Sequence, residues 1–347
     1  MNGKARAPTQ HADAERHGLR YVTVDRLTIR RRRQGSGFCY LAPDGRVIRD
    51  RVMRQRLQRL AVPPAYEDVF YATDPDAHIQ AIGRDAAGRL QYRYHARWQG
   101  VREASKARRL AHLADAMPRI RRRIARHLNS GDRGRAFALS AVIDLVMRSA
   151  IRPGRESYAR MNGTRGAATL LKSNITVDGD TLQLKFRAKG GKDVCKEVRA
   201  PRLAAAIAAL RQLPGRRIFQ YRDARGTVRP VTAQDANAFL REIAGAPISL
   251  KDLRTLCASS AMLDALLRTP PAKSERTRRR QVRDAVTLVS QDLANTPTIC
   301  LNSYVHKSIV TAFEQGALEK ASAEFNGRGS PSSRERLLAK VISSAAI

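Results

Sequence analysis

The sequence is poor in the features that would tie it to a metal, a membrane or an oxidising compartment. It has four cysteines, Cys39, Cys195, Cys257 and Cys300, far apart and without CxxC spacing. That pattern argues against a zinc site or a disulfide framework and suits a reducing cytoplasm. With no motif around them, all four are expected to be small buried apolar residues. No apolar run approaches the ~18 residues of a membrane-spanning helix, and residues 1–20 lack the apolar centre of a secretion signal. Acidic residues are scarce, 31 Asp and Glu against 65 Lys and Arg. Asp74-Pro75-Asp76 and Asp178-Gly179-Asp180 read as turns, because no His or third carboxylate is placed to complete a metal site. Lysine is scarce too, at 12 of the 65 cations, so a lysine at a motif position carries more information than an arginine.

What is present is a formal charge of +34 on 347 residues, 43% of them apolar. A field of that sign attracts polyanions, and nucleic acid is the natural partner, since clustered cations release the counterions condensed on phosphates. The length suffices for two domains, as one core rarely grows past ~250–300 residues.

Residues 1–20 are polar and aperiodic and are expected to be a disordered tail. Residues 21–100 read as a small β-rich domain, with short strands at Phe38–Leu41, Val69–Ala72, His78–Ile82 and Leu90–Tyr94 between turns such as Pro43-Asp44-Gly45. From 101 to 322 helical periodicity dominates. Pro118 parts two helices, Arg102–Met117 and Arg119–Leu128, and Ala136–Ala150 carries an apolar stripe. Residues 175–199 read as a three-stranded antiparallel meander with Leu182, Leu184 and Phe186 on its buried face. Thr232 with Asp235 predicts a helix start, Pro270–Arg280 a loop, and Ser303–Phe313 a helix carrying Tyr304. Residues 323–347 form an extension, with a turn-rich linker over 326–333 and a short helix over 335–342. The fold class is α+β: a β-rich N-terminal domain and a mostly helical C-terminal domain around one small antiparallel sheet.

Four strings carry chemistry, in order: Ile151-Arg152-Pro153-Gly154 with Tyr158; Phe186-Arg187-Ala188-Lys189; Lys251-Asp252-Leu253-Arg254-Thr255; and Asn295-Thr296-Pro297 with Tyr304 nine residues on. Reversible breakage of a phosphodiester without a cofactor needs a nucleophile, cations on the non-bridging oxygens and an acid for the leaving oxygen. A tyrosine forms a stable ester, but its free pKa of ~10 demands an electropositive pocket. Arginine offers a fixed fork to phosphate oxygens, and a lysine beside other cations can act as an acid near neutrality. Each part alone has a plainer reading: Arg152 and Arg254 as solvated cations, Lys189 as a solubilising turn residue, Tyr304 as a half-buried helix residue. The ordered set is what those readings do not explain.

These strings resemble the signature of type IB DNA topoisomerases, in particular the compact poxvirus and bacterial branch, over about residues 38–314. The resemblance implies a catalytic 101–322 segment that needs no ATP, metal or other small-molecule cofactor. Tyr304 would attack the phosphorus and hold the 3′ end, while Arg152 and Arg254 clamp the non-bridging oxygens. Lys189 would protonate the leaving 5′-oxygen, with Lys251 as a second donor, and Asn295 would add a hydrogen bond where many family members carry His. An asparagine there is neutral and insensitive to pH. The resemblance also implies DNA contacts by Gln91, Tyr92, Tyr94, Arg155 and Tyr158. Tyr92 and Tyr94 equally read as residues packing the sheet. The runs Arg30–Arg33 and Arg119–Arg123 are candidates to line a DNA channel, with the two domains closing on supercoiled duplex as a monomeric clamp at the nucleoid. Two other readings remain open: a tyrosine site-specific recombinase, which carries His-x-x-Arg where this chain has Lys251-x-x-Arg254, and a non-catalytic basic DNA-binding protein.

Overall fold

The computed structural model describes residues 7–323 and 331–344. The chain is α+β and divides into two compact units, Met1–Lys106 and Ala107–Ile347. No described helix is long and apolar enough to cross a membrane.

The N-terminal unit opens with α1 (Ala7–Arg16) and carries a five-stranded antiparallel sheet. Its strands are β1 (Leu27–Gln34), β2 (Gly37–Leu41), β3 (Glu67–Ala72), β4 (Ile79–Arg84) and β5 (Leu90–Tyr94), in the order β2-β1-β3-β4-β5. Helix α2 (Arg51–Arg59) lies between β2 and β3, its N-terminus capped by Asp50, which accepts from the Met53 N–H at 2.7 Å. Three features differ from the sequence reading. The segment 7–16 is helical rather than disordered, because Ala14 and the following Leu19 bury against Trp98 and Val101. Strand β1 runs through the arginines, since only Leu27 and Ile29 need an apolar face. Within that run Arg31 is structural: it donates to the carbonyls of Val62, Pro63 and Tyr66 at 2.6–3.0 Å and lies over the Phe38 ring.

Helix α3 (Trp98–Asn129) is a single helix with Pro118 inside it. Leu110, Leu113, Met117, Ile120 and Ile124 continue one buried face straight through the proline. Burial of five such side chains outweighs the ~3 kcal/mol a mid-helix proline costs. Two arginines of the 119–123 run are also engaged internally, Arg119 with the Ala244 carbonyl and Arg121 with Glu335.

In the C-terminal unit α4 (Arg135–Ser149) is the central core helix, with Phe137 to Val146 buried throughout. Short α5 (Glu156–Asn162) follows, then the meander β6 (Ile175–Asp178), β7 (Thr181–Arg187) and β8 (Asp193–Arg199), with Leu182, Leu184 and Phe186 turned inward. Helix α6 (Pro201–Arg211) leads to a small hairpin of β9 (Gln220–Arg222) and β10 (Val228–Pro230). Helix α7 (Ala233–Ala244) starts on a reciprocal capping box between Thr232 and Asp235 and ends on Gly245. Helices α8 (Leu250–Leu267), α9 (Glu275–Asp292), α10 (Pro297–Ser303), α11 (Lys307–Glu314) and α12 (Ala317–Ala323) complete the unit with α13 (Pro331–Ser344). Helix α9 takes in the second half of the expected 270–280 loop, its first turns held by Arg279–Glu275 pairing and Val282 burial. Most of the expected 326–333 linker lies outside the described residues. Helix α13 buries Leu337, Leu338, Val341 and Ile342. The cysteines divide: Cys39 and Cys300 are buried, Cys257 is partly so, and Cys195 is exposed because its position on β8 points outward.

Candidate active site

Three helix termini build the site. The first is the end of α4, where Ala150 takes a left-handed conformation (φ 52°) and turns the chain toward Arg152. A non-glycine residue there is strained and persists only where its surroundings hold it. The Arg152 and Pro153 carbonyls accept from the Ala167 and Ala168 N–H groups at 2.8 Å, tying the arginine loop to a second segment. That tie depends on Gly166. A Cβ at this position would stand 2.5 Å from both the Arg152 oxygen and the Gly154 nitrogen, with Gly154 itself at φ 82°. Replacing glycine by alanine often stabilises a protein through the unfolded chain, but here the backbone contact reverses the sign. Gly166→Ala is expected to lower the melting temperature, measured by calorimetry, because the added methyl must push apart two segments whose backbones touch.

The second terminus is that of α9. Ala294 is left-handed (φ 48°), its N–H donates to the Gln291 carbonyl, and the Asn295 N–H donates to the Ser290 carbonyl, both at 3.0 Å. This is a Schellman ending built without glycine. It delivers Asn295, buried to 7% exposure, whose Oδ1 accepts from Arg152 Nη2. The Asn295 Nδ2 has no hydrogen-bond partner. Thr296 then caps α10 and Pro297 opens it, which is why the Asn-Thr-Pro string occurs where one helix stops and the next begins.

Arg254 joins these two ends. Its side chain is among the largest fully buried, at 1% exposure. One Nη donates to the Ala150 carbonyl and the other to that of Leu293, the latter at 3.3 Å, while Nε has no partner. Burial lowers its pKa, and the phenol of Tyr304 pulls it back up. An arginine remains charged through such a shift, so the site holds a fixed buried positive charge.

The third terminus carries Tyr304. The structure sets it not within a helix over 303–313 but at the junction between α10 and α11, where α10 ends at φ −123°, ψ −28°. Its ring lies 4.9 Å from the Arg254 guanidinium carbon. Ser259, one turn beyond Arg254 on α8 and fully buried, donates to the Tyr304 carbonyl at 3.1 Å and accepts from the His306 N–H at 3.2 Å. The break in the helix is therefore anchored to the helix that carries Arg254. Arg152, Arg254, Asn295 and Tyr304 thus converge from four places in the chain: the end of α4, the body of α8, the end of α9 and the end of α10.

The lysines stand differently. Lys189 is exposed at the tip of the β7–β8 hairpin, where Gly190 and Gly191 both have positive φ, and its Nζ lies 5.4 Å from the Tyr158 ring centroid. Lys251 is exposed on the first turn of α8. Its neighbours in the string are structural: Asp252 accepts from the Ser249 N–H at 2.9 Å, Leu253 is core, and Thr255 bonds back to the Lys251 carbonyl. Arg155 and Tyr158 are exposed at the start of α5. In the N-terminal unit Tyr92 and Tyr94 share a face of β5, stacked with centroids 5.9 Å apart and about two-fifths exposed. Tyr94 also meets Trp98 and lies under Arg102. Gln91 donates to Asp85 at 2.8 Å. Sequence reasoning missed Ser259, Gly166 and the two left-handed alanines. A serine on a core helix and an alanine at a helix end carry no local signal.

Two family models match the chain: the N-terminal domain of bacterial DNA topoisomerase IB over residues 37–85, and the catalytic core of eukaryotic DNA topoisomerase I over residues 95–326. A DNA topoisomerase 1B of Acanthamoeba polyphaga mimivirus is 29% identical over 286 residues, covering 80% of this chain and 84% of the viral protein.

Proposed function

This chain belongs to the topoisomerase I family, as a DNA topoisomerase of type IB, and from that premise we propose that Tyr304 cuts and rejoins one strand of a duplex. The observation that carries the reading is the meeting of a half-buried tyrosine with one fully buried arginine, a second arginine and a buried amide, two of whose polar atoms, Arg254 Nε and Asn295 Nδ2, are unpartnered. Buried unpartnered donors of this kind are costly unless an anion completes them.

The Tyr304 phenol gives up its proton to solvent as its oxygen bonds to phosphorus and the bond to the 5′-oxygen breaks, leaving a 3′-phosphotyrosyl ester. Arg152 and Arg254 hold the non-bridging oxygens, and Asn295 donates a neutral hydrogen bond. Lys189 passes a proton to the departing 5′-oxygen once the hairpin tip closes on DNA, with Lys251 as the second donor. The free end rotates under torsion, and reversal of the same steps reseals the strand. Gln91, Tyr92 and Tyr94 grip the duplex from the N-terminal unit and Arg155 and Tyr158 from α5, the monomer acting as a clamp on supercoiled DNA at the nucleoid.

Relaxation of a supercoiled plasmid in EDTA without ATP tests the reading. Full activity at low enzyme concentration, with no preferred partner site, is the expected result; dependence on paired specific sites would favour recombination. Because phosphate contacts dominate such binding, affinity for duplex should fall about 1,000-fold or more between about 50 and about 200 mM salt. A flat salt response in a binding titration would contradict the proposed grip.

A further inference from the structure

One cation of the C-terminal unit sits where an apolar residue is expected. On β8 the inward-facing positions are Val194, Lys196 and Val198, and both valines are buried. Lys196 is largely buried as well, and its Nζ donates to the Ser149 carbonyl at 2.8 Å. Ser149 is the last residue of α4, and the next carbonyl, that of Ala150, accepts from Arg254. The Met147 carbonyl accepts from Cys257 Sγ at 3.3 Å. Side chains of β8 and α8 therefore take up the carbonyls that a helix end leaves without partners, two of them with cations, as the negative end of a helix favours.

The ammonium also shares the wall of a small cavity with Arg152, Arg165, Arg254 and Asp292. Asp292 faces it from α9, Arg254 and Cys257 from α8, and Arg152 and Arg165 from the loops that follow α4 and α5. Burial draws its pKa below the ordinary lysine value; Asp292 opposes that and Arg254 adds to it.

We propose that Lys196 is a positioning residue for strand cleavage: its ammonium pins the carbonyl end of α4 and so sets where Arg152 stands against the phosphate. The inference rests on the role assigned above to Arg152. A desolvated lysine costs more than the valine or leucine that would fill this strand position. What it adds is a charged donor at the root of the arginine loop, which an apolar side chain cannot supply.

The test compares Lys196→Met and Lys196→Arg with the unaltered protein in single-turnover cleavage of a duplex oligonucleotide across pH, alongside duplex affinity. Lys196→Met should cleave about 100-fold more slowly near neutrality, with affinity unchanged, and the deficit should shrink as pH rises and the native lysine loses its proton. Lys196→Arg should restore most of the rate, and its rate relative to the native protein should climb with pH, because arginine stays charged. Taking ratios cancels every pH effect that all three proteins share. Should the Met protein fail to fold, the Arg ratio decides alone. Native cleavage by Lys196→Met, or an Arg ratio that is flat with pH, overturns the proposal. Tyr304→Phe run in parallel separates the two levels: an adduct from that variant would mean the nucleophile is wrong, whatever Lys196 does.

Discussion

Tyr304→Phe protein should relax no supercoils and leave no covalent adduct on DNA after a detergent quench, while binding duplex with native affinity. The loss is expected to be complete to background, because phenylalanine removes the attacking oxygen and no other group in the cluster is a nucleophile: Arg152, Arg254 and Asn295 are cations or a neutral amide. The rest of the site should survive. The ring still packs at 4.9 Å from Arg254, and Ser259 bonds to the backbone carbonyl rather than to the phenol. Folding should therefore be unperturbed by thermal melting, which separates chemistry from structure in one protein. The assay is a 5′-labelled suicide substrate resolved on a denaturing gel. A labelled adduct that persists in the Phe protein would assign the attack to another tyrosine, with exposed Tyr158 beside Lys189 the first to examine.

Arg254→Lys is expected to be nearly as damaging as Arg254→Ala, although it keeps the charge. The guanidinium reaches the Ala150 and Leu293 carbonyls at once, tying the ends of α4 and α9 together while its Nε remains unpartnered. An ammonium is a compact point charge and does not span two carbonyls and a phosphate oxygen with one fork. Loss of a preorganised donor to a developing oxyanion costs about 100- to 1,000-fold in rate. Each buried carbonyl left without a donor costs a further ~1–3 kcal/mol of stability. Single-turnover cleavage and denaturant titration measure the two separately. A Lys variant with native cleavage would remove Arg254 from the clamp and leave it only a structural role.

Much of this was legible locally. The meander announced itself through the alternation of Leu182, Leu184 and Phe186, and α7 through Thr232 and Asp235, because those patterns depend on residues two or three apart. The helix through Pro118 and the arginine-rich β1 were not legible. Their stability comes from faces that bury against distant segments, and local propensity pointed the other way. The same limit applies to Arg31 and Arg121, which read as members of charge runs lining a DNA channel. One is held by carbonyls more than thirty positions away and the other by Glu335.

For Tyr304 the division is sharp. The sequence by itself determined which residue types are available and in what order: one tyrosine after Asn-Thr-Pro, one arginine before Pro-Gly, another inside Lys-Asp-Leu-Arg-Thr. Covalent order and residue chemistry suffice for that, since the reaction demands those functional groups wherever they lie in the chain. Only the tertiary structure decided that Tyr304 sits at a break between two helices, that Ser259 holds the break, and that buried Arg254 fastens the ends of α4 and α9 on which Arg152 and Asn295 are mounted. Those relations join residues about 40 to 140 positions apart through backbone carbonyls and left-handed alanines. A carbonyl has the same identity in every residue, so its part in a site becomes visible only when the chain has folded around it.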